Sequence, residues 1–219
     1  VAPARVARGE FLHAPCYCEE NVYRLAEALA ARRLVPSLSQ LWVVFISNPS
    51  KQVPLWYQAA GRREQGGLVV WDYHVILLQS KGDTSEPQVW DLDSLLPFPC
   101  SLMQYTACAF QRSASFTLAP QHVRRYRVVP AQAYLDFFAS DRHHMRLPDG
   151  EWRAPPPSWP EITARADGCT NNLQRYWDML SDVAGSSSSS RSLSLSSVAR
   201  AGTYGLVMGE EELLGCFGV

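Results

Sequence analysis

Nowhere in the 219 residues is there an uninterrupted apolar run long enough to cross a bilayer. The opening stretch VAPARVARGEFLHAP carries arginines but no apolar core of secretory-signal length, because Glu10 breaks its one short apolar run. These absences predict an intracellular protein. An excess of one charge is lacking too: Lys and Arg number 20 against 21 Asp and Glu, and the net charge of −1 draws the chain neither to nucleic acid nor to an anionic membrane. A phosphate-binding glycine loop is missing, since Gly66-Gly67 has neither the lysine nor the following helix that such a loop needs. No internal repeat is present.

What is there is a hydrophobic fraction of 47% in a chain long enough to bury a substantial core, so no disulfide or metal staple is required. The six cysteines, Cys16, Cys18, Cys100, Cys108, Cys169 and Cys216, are expected to stay reduced. A metal reading would draw on His13, Cys16 and Cys18 with DRHHM (141–145) as a second half. It is a weak match, because structural zinc usually takes two tight ligand pairs and this Cys-x-Cys has no partner pair. Cys16 is then expected to pack beside Cys18.

Apolar Val22, Leu25, Ala26, Leu29 and Ala30 recur at helical spacing and predict an amphipathic helix over Glu20–Arg33, beginning close to Cys18. QLWVVFISN (40–48) and QVPLWYQ (52–58) read as a hairpin across the turn at Asn48-Pro49. GLVVWDYHVILLQ (67–79) is the strongest strand signal, and QVWDLDSLLPF (88–98) reads as its partner until Pro97 and Pro99 end regular pairing. HVRRYRVVP (122–130) predicts another strand with a solvated basic face, and AQAYLDFFAS (131–140) a helix packing Tyr134, Phe137 and Phe138 inward. LPDGEWRAPPPSWPEI (147–162) reads as an extended arm on the surface. GSSSSSRSLSLSS (185–197) is too polar to order itself and is expected to be a flexible loop inside a single domain spanning 1–219. AGTYGLVMGEEELLGCF (201–217) supplies a last strand and a short helix. Helices before, between and after strands make an α+β fold.

Cys18 falls in the first turn of the predicted helix, where unpaired amides and the positive end of the dipole favour a thiolate, although Glu19 and Glu20 oppose it. His74 lies in the strong strand, and imidazole both accepts and returns a proton near neutral pH. If the strands flanking SKGDTSEP form a symmetric hairpin, His74 faces Asp91, with Asp93 on the same face as the rival orienter. A carboxylate holding one imidazole nitrogen while the other serves a thiol is the arrangement of a Cys-His-Asp triad. Taken singly, each residue also has a plainer reading, as a small core thiol, a satisfied polar group or a solvated charge.

The motifs CYCEEN (16–21), VFISN (44–48), WDYHVILL (71–78), DLDSLLPFPC (91–100), FASDRHHM (138–145), GEWRAPPPSWP (150–160) and GTYGLVMGEEELLGCF (202–217) together resemble the protein N-terminal glutamine amidohydrolases. The stretch 163–201 departs from that pattern, being more serine-rich than the family's usual connection. The resemblance implies a papain- or transglutaminase-like fold, an antiparallel sheet flanked by helices, with no metal or other cofactor. It implies Cys18 as nucleophile, His74 as base and Asp91 as orienter. The implied reaction converts an exposed N-terminal glutamine to glutamate with release of ammonia, in the N-degron pathway of the cytoplasm and nucleus, upstream of an arginyl-transferase. The chain is expected to act as a monomer. Reading a free terminus requires an acceptor for the α-ammonium, and Glu19, Glu20 and Asp141 are the candidates. Two other readings remain open: a papain-like thiol protease or transglutaminase using the same triad, and a non-catalytic reader of N-termini.

Overall fold

A computed structural model describes residues 6–82, 86–113, 116–180 and 193–219. In chain order the regular elements are α1 (Cys18–Ala31), β1 (Leu41–Ser47), β2 (Val53–Leu55), β3 (Val69–Trp71), β4 (Tyr73–Gln79), β5 (Gln88–Trp90), β6 (Cys100–Ser101), α2 (Leu102–Cys108), β7 (Arg125–Pro130), α3 (Ala131–Phe137), α4 (Leu173–Trp177), α5 (Leu195–Arg200), β8 (Leu206–Met208) and α6 (Glu210–Phe217). Six strands form one antiparallel sheet in the order β6-β5-β4-β1-β7-β8, and β2 pairs with β3 in a separate ribbon.

The central strands β1 and β4 are buried along their whole length, which is why they read as unbroken apolar runs rather than as an alternation. Strand parity still sorts their side chains. Val43, Phe45, Val75 and Leu77 face one core with α1, α3 and α4, whereas Trp42, Val44, Ile46, Ile76 and Leu78 face the other with α2, α5 and α6. Each large side chain so buried contributes about 1.5–3 kcal/mol. Gly205 shows how tightly β8 docks: at φ 62° a Cβ there would lie 1.9 Å from the Val128 carbonyl oxygen. The fold is therefore α+β, an antiparallel sheet covered by helices on both faces. No helix among the described residues is long and apolar enough to cross a membrane.

Several sequence expectations change. β1 and β2 form no hairpin; β1 pairs with β4 and β7, because its fully apolar length is satisfied only in the sheet centre. The strand expected over 67–79 divides at Asp72, whose Oδ1 accepts the Tyr73 amide at 2.9 Å and so competes with the ladder. The partner strand ends at Trp90, and its register is displaced: Leu77 pairs with Trp90, where a symmetric hairpin would give Gln88. The basic strand has no simple solvated face. Arg125 is exposed, but Arg124 and Arg127 are buried, the first donating to the Pro54 and Phe110 carbonyls and to Glu210, the second to the carbonyls of Tyr204 and Asp178. Cys16 is exposed rather than packed. Of the serine-rich stretch, 185–192 lies outside the described residues, and its last residues open the helix α5 at Leu195, with Ser194 capping the Ser197 amide.

Candidate active site

Tyr17, the residue before α1, offers no side-chain cap, and the turn ahead of the helix is fixed in another way. Asn21 reaches back so that its Oδ1 accepts the Ala14 amide at 2.8 Å and its Nδ2 donates to the Ala14 carbonyl at 2.9 Å. Cys16 takes a left-handed φ of 68° to complete the turn. This sets Cys18 as the first helical residue, at the end of α1 that packs on β4.

Because β5 stops at Trp90, the β4 edge before Leu77 has no β5 partner, and the Val75 amide faces the Cys18 sulfur there. The neighbouring residue along β4 is His74, buried completely. Its Nε2 lies 3.1 Å from Asp91 Oδ1, while its Nδ1 is buried with no hydrogen-bond partner. Trp71 stacks on the imidazole at 5.4 Å between ring centres. Asp91 accepts two further hydrogen bonds, from the Tyr105 hydroxyl to Oδ2 at 2.7 Å and from the Asp93 amide to Oδ1 at 2.9 Å. Asp93, the rival orienter, is instead 2.8 Å from His13 Nε2.

The electrostatics follow from this burial. Desolvation would lower the His74 pKa, but the charge and hydrogen bond of Asp91, with the charges of Asp93 and Glu19 behind them, outweigh it and hold the imidazole above its ordinary value. Desolvation likewise works to raise Asp91, and His74, Tyr105 and the Asp93 amide together bring it below the usual carboxylate range. The helix start does not give Cys18 a free thiolate. Burial, then Glu19 and Asp93, push its thiol well above the ordinary value against the single opposing amide of Val75. The thiol is therefore protonated at neutral pH, and a neighbouring base must take its proton before it can attack.

The three candidate binding carboxylates sit in different surroundings. Glu20 is buried in a bidentate pair with Arg142, at 2.8 Å to Nε and 2.7 Å to Nη2, and also accepts Trp159 Nε1 at 2.7 Å. Asp141 is partly exposed and its Oδ1 is shared by His143 and Asn171. Glu19 is fully buried: its Oε2 accepts the Tyr73 hydroxyl at 3.0 Å and lies 3.7 Å from Cys18 Sγ, while its Oε1 has no hydrogen-bond partner. A pocket of about 490 Å³ lined by His143, His144, Asn171 and Trp177 opens nearby. Cys18 does not line it; the connection runs from His144 Nε2 to Glu19 Oε1 at 3.8 Å and from Glu19 Oε2 to the sulfur.

Among the described residues, His74, Asp91 and Asp93 are the group whose donor atoms, all within 4.8 Å of one another, come close enough to hold a metal ion. Within it His74 Nε2 lies 3.1 Å from Asp91 Oδ1, the Asp93 amide donates to that same oxygen, and His13 Nε2 lies 2.8 Å from Asp93 Oδ1, while His74 Nδ1 stays unpartnered. His13, Cys16 and Cys18 do not assemble into the alternative metal set.

Sequence reasoning missed Tyr105, Trp71, Arg142 and His144. A tyrosine on a short apolar helix and a tryptophan at a strand end carry no mark of function. Arg142 and His144 stood inside DRHHM, but their partners Glu20 and Glu19 are more than a hundred residues away in sequence.

A buried thiol at a helix start with a carboxylate-held imidazole on the adjoining strand is the equipment of a thiol-dependent hydrolase. Residues 13–217 match the family described as N-terminal glutamine amidase. The chain is 48% identical to a protein N-terminal glutamine amidohydrolase of Arabidopsis thaliana over 176 residues, 80% of this chain and 78% of the relative. It is 46% identical to one of Danio rerio over 149 residues, 68% and 71% of the two chains. The chain belongs to the N-terminal glutamine amidase family.

Proposed function

We propose that this protein hydrolyses the side-chain amide of an N-terminal glutamine, yielding N-terminal glutamate and ammonia, with Cys18 as nucleophile, His74 as general base and acid, and Asp91 as orienter. The observation that carries the site assignment is the division of the two His74 nitrogens. Nε2 is held by Asp91, and Nδ1 is left buried and free, one residue along β4 from the amide that faces the Cys18 thiol.

His74 Nδ1 takes the thiol proton as the sulfur bonds to the amide carbon, a contact that in such pairs tightens only when substrate is bound. The carbonyl oxygen becomes an oxyanion, for which the backbone amides at the start of α1, Cys18's own among them, are the donors. His74 then passes its proton to the departing nitrogen, and ammonia leaves a thioester on Cys18. Water attacks the thioester, giving a proton to His74, which returns it to the sulfur as the glutamate product departs. Asp91 holds the imidazole throughout and favours the cation formed twice in the cycle.

The relation of this sheet and helix arrangement to papain and transglutaminase folds belongs to the same proposal. It is supported by a cysteine at the start of α1 and a histidine on β4, the strand against which α1 packs. So does a place ahead of arginyl transfer, since N-terminal glutamate is the product. The test is ammonia release and peptide mass on matched peptides beginning with Gln, Asn and acetyl-Gln. The account expects conversion of the free Gln peptide alone; cleavage of a backbone bond, or binding with no conversion, would replace it with a protease or a reader.

A further inference from the structure

We propose that Glu19 is the acceptor for the α-ammonium of the substrate's first residue, reached from the pocket that His144 helps to line. This rests on the function proposed above and names the group that makes the reaction specific for a chain terminus.

Of the three candidate carboxylates, Glu20 has both oxygens committed to Arg142 and Trp159, and Asp141 lies partly exposed, tied to His143 and Asn171. Glu19 alone of the three combines complete burial with an unpartnered oxygen. A buried carboxyl with an unsatisfied oxygen costs free energy, and a cationic donor of the right size offsets that cost on binding. The carboxyl is also held in place. Tyr73 donates to its Oε2 at 3.0 Å, and the Tyr134 hydroxyl donates to the Glu19 backbone carbonyl at 3.2 Å.

The groups facing it from the packed elements are Cys18 and Glu20 on α1, Tyr73 and His74 on β4, Tyr134 on α3, and His144 in the 143–145 turn. None of the nearest supplies a standing positive charge at Oε1. His144, 3.8 Å away, is pushed down to about 4, chiefly by burial and then by His143, and so is neutral at pH 7. Burial, with Glu20 adding to it, lifts Glu19 itself to about 8. Oε1, buried and unpartnered, is therefore the atom that can accept one cationic donor. His144 is the side chain that must move to admit it, standing between the pocket and Oε1.

The geometry also explains side-chain length. In an extended glutamine the α-nitrogen lies about 5 Å from the amide carbon by ordinary bond lengths. The carbon must come within roughly 3–3.5 Å of the attacking sulfur. A carboxylate whose nearer oxygen is 3.7 Å from Cys18 Sγ can satisfy both requirements at once. Asparagine, anchored at the same point, falls short by about 1 Å, a displacement that costs on the order of 100-fold in rate.

The experiment uses Cys18→Ala protein, which binds without turnover, and compares calorimetric affinities for a Gln peptide and its acetyl-Gln counterpart. The free amine is expected to bind at least about 10-fold tighter, and Glu19→Gln in the same background to bring that ratio close to one. An unchanged ratio in the Glu19→Gln protein overturns the proposal. In otherwise unaltered enzyme, Glu19→Gln should raise KM more than it lowers kcat. A lower kcat with KM and the free-to-acetylated ratio unchanged would assign Glu19 to proton handling instead, and overturn the proposal.

A second measurement needs no Glu19 variant, should that one fail to fold. Near pH 7 both the Glu19 carboxyl and the peptide amine, whose ordinary pKa is about 7.7–8.0, enter mostly protonated, while the bound pair holds one proton. Binding of the Gln peptide to Cys18→Ala protein should release roughly three quarters of a proton at pH 7, read from its dependence on buffer ionisation heat, and acetyl-Gln none. Equal, non-zero proton release by both peptides overturns the proposal. Failure of unaltered enzyme to release ammonia would refute the proposed reaction and leave these binding ratios readable.

Discussion

The Tyr105 hydroxyl donates to Asp91 Oδ2 at 2.7 Å, so the carboxylate hydrogen-bonded to His74 is itself held through its other oxygen by a helix of the second core. The bond joins α2 to the segment just after β5, where the ladder has ended and backbone pairing no longer fixes the aspartate. Tyr105→Phe keeps the ring and removes one donor to a buried charge. It should cost about 1.5–3 kcal/mol in denaturant unfolding and lower activity less than loss of Asp91 does. A variant as stable and active as the parent would show that Asp91 needs no support from α2.

Asp91→Asn removes the carboxylate that contributes most against desolvation at His74. The imidazole should then titrate below its ordinary value instead of above it, as followed by histidine NMR signals, and kcat should fall by roughly 10⁴-fold if the orienting role holds.

The same pair sets a pH window for stability. Asp91, depressed in the folded protein, contributes stability that is present above its unfolded pKa and lost as pH falls through the folded one. His74, raised in the folded protein, contributes stability present below its unfolded pKa and lost as pH rises through the folded one. Unfolding free energies measured across pH should show both limbs in the parent and a flatter profile in Asp91→Asn.

Glu20 and Arg142 make a second buried unit with a structural task. Arg142 also donates to the carbonyls of Pro157 and Trp159, so the pair fastens the proline-rich arm to the helix that carries Cys18. Arg142→Ala leaves a buried carboxylate without its partner and should cost about 3–5 kcal/mol, with faster proteolysis within 147–162. Arg142→Lys should rescue little of this, because an ammonium cannot make the two-pronged contact.

Much of this was legible in the chain. The helix at Cys18 showed in its 3.6-residue spacing, and β1 and β4 in their apolar runs. The choice of Asp91 rested on an assumed register that the structure does not have. Asp91 nonetheless meets His74, because β5 has ended and the aspartate is free to turn back. What stayed hidden was set by contacts distant in sequence. The carbonyls that bury Arg124 and Arg127, the tyrosine behind Asp91 and the arginine on Glu20 leave no local pattern. Nor could spacing show that burial would overrule the helix dipole and keep the Cys18 thiol protonated.

The most direct test of the central claim is intact-mass analysis of enzyme quenched in acid during turnover of a Gln peptide, alongside ammonia release by Cys18→Ala. The account predicts a thioester adduct mapping to Cys18 and no ammonia from the variant. Steady ammonia release by Cys18→Ala, or an adduct on a different residue, would contradict it.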